Sequence, residues 1–180
     1  MLDNFVKLAS MPETVINKYG GQVPIELRRI WEEDGLGTFV DGYLKVINPD
    51  DYSALVKSTY FRGDMSIPIF VTAFGDVITL EEGKYLRIVK YSEGDFVTIL
   101  ANIAYFIQDI LDEDFLNDYF DIPFYQKAVQ KYGDLTYQQC FGFVPLLALG
   151  GTKSVDNLEK VNISEHLSIL TQLTGGVGFD

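Results

Sequence analysis

Hydrophobic residues recur at helical spacing twice in the N-terminal third of the chain. One run extends from Pro24 to Asp34 and is followed by Gly35, which can end a helix in a left-handed conformation. The other begins at Asn48-Pro49, where a side-chain cap precedes a residue that fits the first helical turn. The pattern therefore predicts two helices, with apolar stripes formed by Leu27, Ile30 and Trp31 and by Tyr52, Leu55 and Val56.

From residue 67 to residue 100 the pattern changes to short runs of β-branched and aromatic residues, which is typical of strands. Glycine-containing turns at residues 75–76, 82–83 and 93–94 separate the runs, and connections this short favour hairpins and an antiparallel sheet. Residues 38–47 could add one or two strands. The predicted strands are 69–74, 77–80, 85–90 and 96–100.

Helical patterns dominate the remainder of the chain. Residues 97–111 can run from the last strand into a helix, residues 123–132 give another helix that Gly133 closes, and a last helix begins at Asn162 and ends at Gly175. The stripes consist of Ile103, Ile107, Ile110 and Leu111 in the first and of Ile163, Leu167, Leu170 and Leu173 in the last. We therefore predict an α+β fold, with an antiparallel sheet flanked by helices in the N-terminal half and a mainly helical C-terminal half packed against it. The change of pattern near residue 95 predicts domains at 1–95 and 96–180.

Composition indicates a protein with a real core, since 47% of the 180 residues are hydrophobic. No apolar run approaches the roughly 20 residues of a membrane helix, and the N-terminal residues do not resemble a secretory signal. The single cysteine, Cys140, excludes an internal disulfide and fits a reducing compartment. We expect a cytoplasmic protein that does not contact membranes.

The charge balance narrows the possible partners. There are 14 Lys and Arg against 26 Asp and Glu, so the formal net charge is −12. The electric field of this negative charge repels nucleic acid phosphates and accelerates encounter with a basic partner. Solubility alone is the alternative explanation.

Few residues could carry chemistry. His166 is the only histidine, which rules out a multi-histidine metal site, and a Cys140–His166 pair is less plausible than a buried thiol and a histidine on a helix surface. The run Gly150-Gly151-Thr152-Lys153 lacks the glycine that a phosphate-binding loop places before its lysine. The acidic pairs also lack the spacing of a calcium loop. We expect no enzyme activity, cofactor or metal.

The acidic segment, residues 109–121, is the strongest candidate for function. It has no Lys or Arg, and aromatic residues alternate with its carboxylates, as in a hot-spot patch that engages a basic surface. The alternative is a solvated negative face whose aromatics point into the core. The predicted partner-binding residues are Asp112, Glu113, Asp114, Phe115, Asp118, Tyr119 and Asp121. A secondary patch is predicted at Glu32, Glu33 and Asp34, with Asp41 possible beside it.

The stretch from Cys140 to Gly151 alternates aromatics with Gly and Pro, which favours close packing and fixed turns rather than reaction chemistry. With Asn157-Leu158, Lys160-Val161, Glu165-His166-Leu167 and Gln172-Leu173, it resembles the C-terminal domain of bacterial immunity proteins that neutralise type VI secretion DNase effectors. Within it we predict structural roles for Gly142, Phe143, Pro145, Gly150 and Gly151. Gln139 stands where an acidic residue is common in that family.

The first half is similar to the GAD-related domain that usually precedes that C-terminal domain. The residues that carry this similarity are Pro24, Leu27, Trp31, Gly35, Asp41-Gly42, Asn48-Pro49, Tyr52 and Ala73-Phe74-Gly75-Asp76. The resemblance implies an immunity protein that binds a cognate toxin, a basic nuclease, and neutralises it by stoichiometric occlusion without binding nucleic acid itself. The alternative from another class is a general acidic interaction or regulatory module.

Overall fold

The first half of the chain forms one antiparallel sheet in which each strand pairs with the next along the sequence. The computed structural model describes residues 2–110 and 112–179. Leu111, which the sequence pattern assigns to a helical stripe, lies outside the described residues. The sheet consists of β1 (Val6–Ala9), β2 (Leu36–Phe39), β3 (Leu44–Val46), β4 (Ser66–Thr72), β5 (Val77–Glu81), β6 (Tyr85–Lys90) and β7 (Asp95–Leu100).

Helices surround this sheet and make up most of the second half. In the described part of the chain they are α1 (Glu13–Tyr19), α2 (Ile25–Arg29), α3 (Pro49–Thr59), α4 (Ile103–Asp109), α5 (Glu113–Tyr119), α6 (Ile122–Tyr132) and α7 (Ile163–Thr174). The predicted α+β class, with its antiparallel N-terminal sheet and mainly helical C-terminal half, is confirmed. None of these helices combines the length and the apolar character that crossing a bilayer requires.

Local capping signals explain where three of the helices begin or end. The Asn48 side chain accepts a hydrogen bond from the Asp50 amide at the start of α3, and the Asn162 side chain accepts one from the Glu165 amide at the start of α7. Gly133 follows α6 with φ of +78°, a conformation that glycine adopts at little cost. The predicted helix after Pro24 also forms, but its last turn, Ile30–Asp34, is a π-helix.

Both faces of the sheet are buried because apolar residues occupy successive positions along its central strands. On β5, for example, Ile78 belongs to one cluster of buried residues and Val77 to another. The first cluster includes residues of α1, α2, α4 and α6, and the second includes residues of α3 and α7. The sheet therefore lies between two helical layers.

A two-stranded sheet, β8 (Gln139–Phe143) with β9 (Leu158–Asn162), attaches the second half to the first. The Phe141 amide donates to the Ala73 carbonyl at 2.7 Å, and the buried Lys45 ammonium donates to the Gln139 carbonyl at 2.9 Å. The sequence pattern did not predict this two-stranded sheet in the mainly helical C-terminal half. Strand β1, whose four residues are all exposed, was also not predicted.

Buried aromatic rings fill the junction between the two halves. Tyr43, next to β3, makes edge-on contacts with Phe120 and Tyr125 of the second half, with ring centroids 5.5 and 5.2 Å apart. After α7, the backbone of Val177 pairs with Thr59 and Phe61, which follows the end of α3. The two halves therefore share one continuous core.

Candidate functional site

The Gly- and Pro-rich stretch from 140 to 151 forms part of this junction. A Cβ atom added to Gly142 would lie 2.7 Å from Cε1 of His166, and one added to Gly151 would lie 2.0 Å from the Pro145 carbonyl oxygen. Phe143 stacks on Phe124 of α6. These contacts require glycine where the backbone meets its neighbours and support the predicted structural role of the stretch.

Pro145 and Gly150 occupy the exposed end of the stretch. Pro145 follows a cis peptide bond from Val144, and Gly150 has the left-handed φ of +88°. Both belong to the turn that leads toward β9. They contribute shape to the loop and no reacting group.

The only thiol and the only imidazole of the chain are both buried. Burial raises the pKa of the Cys140 thiol to about 12, although Lys45 nearby opposes the shift, so the thiol is protonated at neutral pH. The predicted buried thiol is confirmed. The predicted helix-surface histidine is wrong: His166 is 8% exposed because it shares a face of α7 with Ile163, Leu167 and Leu170.

The prediction that Leu173 completes this stripe is also wrong. Leu173 is 57% exposed, and Ile169, one turn before it, is 56% exposed. The positions that face the core on α7 are Ile163, His166, Leu167, Leu170 and Thr171.

A small cavity of about 30 Å³, roughly the volume of one water molecule, lies between the two halves. Its lining includes Asp76, Lys90 and Glu93 from the first half and Asp121 and Lys153 from the second. Lys153 Nζ is 2.9 Å from a Glu93 carboxylate oxygen and 3.8 Å from one of Asp121. The lysine of the Gly150–Lys153 run therefore pairs with carboxylates.

Asp76 is the most perturbed carboxyl group of this cavity. Its Oδ1 atom is buried without a hydrogen-bond partner, and burial raises the pKa of the group to about 7 despite Lys90 and Lys153 nearby. Within residues 2–110 and 112–179, no three His, Cys, Asp or Glu side chains converge in a way that could hold a metal ion. The cavity is lined by charged side chains of both signs from the two halves.

The carboxylates of the acidic segment face solvent. Asp112, Glu113, Asp114 and Asp118 are exposed, and none of them forms an ion pair with any described residue. Asp112 also caps α5, since its side chain accepts a hydrogen bond from the Phe115 amide at 3.0 Å. Asp121 is the exception because Lys153 lies near it. Asp112, Glu113, Asp114 and Asp118 therefore form an uncompensated negative surface.

Two aromatic residues of the segment, Phe115 and Tyr119, are half-buried. Phe115 and Tyr119 lie side by side with ring centroids 5.0 Å apart, and Phe115 packs edge-on against the buried Phe106 and Phe120. They anchor α5 to the core while part of each ring stays accessible. The surface of α5 thus combines free carboxylates with partly accessible aromatic rings, the composition that the sequence analysis associated with a partner-binding patch.

The secondary patch is only partly exposed. Glu32 and Glu33 face solvent, and Glu32 pairs with Arg28 at 2.7 Å. Asp34 is only 5% exposed and accepts a hydrogen bond from the Leu2 amide. The prediction of Asp34 in an exposed patch is therefore wrong. Its carboxylate is buried and bound to the N-terminal backbone of the folded chain.

The fold defines a class of α+β proteins in which a sheet half and a helical half share one core. Residues 1–92 match the family described as the GAD-like domain, and residues 100–174 match the family described as T6SS immunity protein Tdi1, C-terminal. The chain belongs to this type VI secretion immunity family, in which a GAD-like domain precedes the Tdi1 C-terminal domain. This membership supports an immunity function, which implies binding of a cognate toxin.

Among solved structures, the chain is similar to that of Atu4351 from Agrobacterium tumefaciens. The sequences are 18% identical, the TM-score is 0.77, and the match covers 93% of this chain and 85% of the other. This likeness concerns the fold. A comparison with curated protein sequences gives no significant match.

Proposed function

We propose that this protein neutralises a cognate type VI secretion toxin, a basic nuclease that cleaves DNA, by binding it stoichiometrically in the cytoplasm of the producing cell. The observation that carries the proposal is the match of residues 100–174 to the Tdi1 C-terminal family. Within that region, the acidic segment contains six of the 26 acidic residues of the chain. The domain that carries the family match therefore also presents much of the negative charge.

Charge explains how occlusion would work. A nuclease that cleaves DNA must present Lys and Arg to the phosphate backbone, and those side chains are attracted to exposed carboxylates. Asp112, Glu113, Asp114 and Asp118 are exposed and form no ion pair with a described residue, so their charges remain available to such a surface. An acidic protein bound there keeps DNA out by competition and requires no reacting group.

The half-buried aromatic rings contribute in a different way. Phe115 and Tyr119 are already ordered by packing on the core, so a partner that covers them loses little additional side-chain entropy. Charges at the rim mainly set the association rate, whereas buried anchors set the dissociation rate. We assign these roles to the carboxylates and the aromatic rings, respectively.

Co-expression provides the first test. Cells that express the toxin encoded by the neighbouring gene should survive when this chain is also expressed and should die when it is absent. A general acidic interaction module predicts death in both cases. Survival with this chain but not with an unrelated acidic protein of similar charge would support specific immunity.

Association kinetics provide a second test. The association rate with the purified toxin should fall as ionic strength rises, because salt screens attraction between exposed charges over about 10 Å at 0.1 M. A rate that does not change with salt would contradict the electrostatic part of the proposal. Such a rate would not bear on immunity itself, which the survival assay tests.

A further inference from the structure

Two grooves lie on either side of the turn that joins β2 to β3. One, of about 410 Å³, includes Asp3, Val40, Asp41 and Ile107 in its lining, and the other, of about 400 Å³, includes Val40, Asp41, Glu113 and Leu116. Since Val40 and Asp41 line both, we call the pair the double groove. Part of the acidic segment, including Glu113 and Leu116, lines it, and it extends onto the GAD-like half.

The turn at Val40 and Asp41, which separates the two grooves, has an uncommon backbone conformation. Val40 and Asp41 both have positive φ, of 52° and 51°, which is rare for a β-branched residue such as valine. The Tyr125 hydroxyl donates to the Asp41 carbonyl at 2.9 Å, and the Tyr43 amide donates to the Val40 carbonyl at 2.9 Å. The second half of the chain therefore holds a turn of the first half, so that the exposed Asp41 side chain stands between the two grooves.

The charged residues that line the double groove in the described part of the chain are all acidic. No Lys, Arg or His lines either groove among the residues that the structure describes. Asp3, Asp41 and Glu113 are exposed, and their carboxylates form no ion pair with a described residue. Aliphatic side chains, including Ile107 and Leu116, provide apolar contact area beside these charges. An apolar surface with acidic edges is complementary to a segment that carries both aliphatic and cationic side chains.

From this complementarity we propose that the double groove is a docking site for a Lys- or Arg-containing amphipathic segment of the toxin. The inference rests on the proposed function and adds a specific interface to it. Aliphatic side chains of the segment would lie in the two grooves on either side of Val40, and its cationic groups would meet Asp41 and Glu113. A second copy of this chain fits less well, because its net charge is also −12.

The test is a double neutralisation with a matched control. Asp41→Asn with Glu113→Gln removes two charges from the double groove, and asparagine tolerates the left-handed conformation of residue 41. Asp134→Asn with Glu159→Gln removes two exposed carboxylates from another part of the second half. Both double variants change the net charge equally, and circular dichroism should show that both retain the fold.

Affinity is then measured by calorimetry against the purified product of the neighbouring toxin gene, with full-length chains. We expect Asp41→Asn/Glu113→Gln to weaken binding about tenfold, as the loss of two charge contacts implies, and the control to change it less than twofold. Equal losses of affinity in the two variants, or no loss in either, would overturn the inference. The proposed function would still stand if the wild-type chain protected cells from the toxin. Failure of the wild-type chain to bind or protect would refute the proposed function itself.

The same samples test the alternative occupant. Sedimentation of the free chain across a range of concentrations should give a monomer. Self-association that Asp41→Asn/Glu113→Gln abolishes would assign the double groove to a second copy and overturn the inference.

Discussion

Replacing Gly151 with alanine should destabilise the protein more than replacing either of two other glycines that lack close neighbours. The added Cβ would lie 2.0 Å from the Pro145 carbonyl oxygen, whereas a relaxed carbon–oxygen contact is about 3.3 Å. The backbone fixes the position of the Cβ atom, and its neighbour is itself a backbone atom, so no side-chain rotation relieves the overlap. The backbone must move, which threatens the hydrogen bond from the Gly151 amide to the Leu146 carbonyl at 3.0 Å.

The magnitude follows from these two effects. Overpacking in a tight site costs about 1–3 kcal/mol, and a lost hydrogen bond costs about 0.5–1.5 kcal/mol. We therefore expect Gly151→Ala to lower the free energy of unfolding by about 2–4 kcal/mol. Urea unfolding followed by circular dichroism measures this as a lower midpoint with an unchanged slope.

Two controls separate overlap from backbone preference. Gly150→Ala meets no atom within 4 Å but has φ of +88°, so it should cost only about 1 kcal/mol for the left-handed conformation. Gly21→Ala has neither problem and should be neutral or stabilise by up to about 1 kcal/mol. If Gly151→Ala cost no more than Gly150→Ala, the argument from close backbone contact would be refuted.

Two further predictions concern single polar groups. Asn162→Ala removes the side chain that caps α7 at the Glu165 amide and should lower the free energy of unfolding by about 1 kcal/mol, whereas Ser, another good cap, should preserve most of it. Asp76→Asn should stabilise the protein at pH 8 and lose this advantage near pH 4. Because burial raises the pKa of Asp76 to about 7 in the folded state, the folded state binds more protons than the unfolded state between about pH 4 and 7, and wild-type stability falls as pH rises through that window. Thermal unfolding of both proteins across this range checks the sign, and a wild-type advantage that grows toward pH 8 would contradict it.

Elements marked by local signals could be predicted from the sequence. The start of α3 at Asn48-Pro49, the end of α6 at Gly133 and the limits of α7 at Asn162 and Gly175 each depend on residues within one helical turn. The central strands were found because β-branched residues and short glycine turns follow one another closely. In these places local preference and tertiary structure agree.

Elements stabilised by distant contacts could not be predicted in the same way. Strand β8 pairs with β9 across a connection that contains Pro145, Gly150 and Gly151, so its sequence indicated a turn-rich stretch more strongly than a strand. Asp34 was expected at the surface because its burial depends on an amide 32 residues away. The burial of His166 was detectable, since it lies three residues after Ile163 and four before Leu170 on the same face of α7.

The double groove, too, could be recognised only from the folded structure. Asp41 and Glu113 are far apart in the sequence, and the two halves of the chain bring them to one surface through the contact between Tyr125 and the turn that contains Asp41. The composition of the acidic segment distinguishes it in the sequence but does not relate it to that turn. Composition indicates that a surface is acidic, whereas the fold determines which carboxylates face the same partner.

Titration of the toxin's DNA-cleaving activity with the purified chain tests the central claim most directly. If the chain acts by occlusion, activity should fall in proportion to the amount added and reach zero at a fixed molar ratio, whatever the incubation time. Inactivation by much smaller amounts that progresses with time would show catalysis, and undiminished activity in the presence of excess chain would show that it does not neutralise this toxin. Either result would contradict the account.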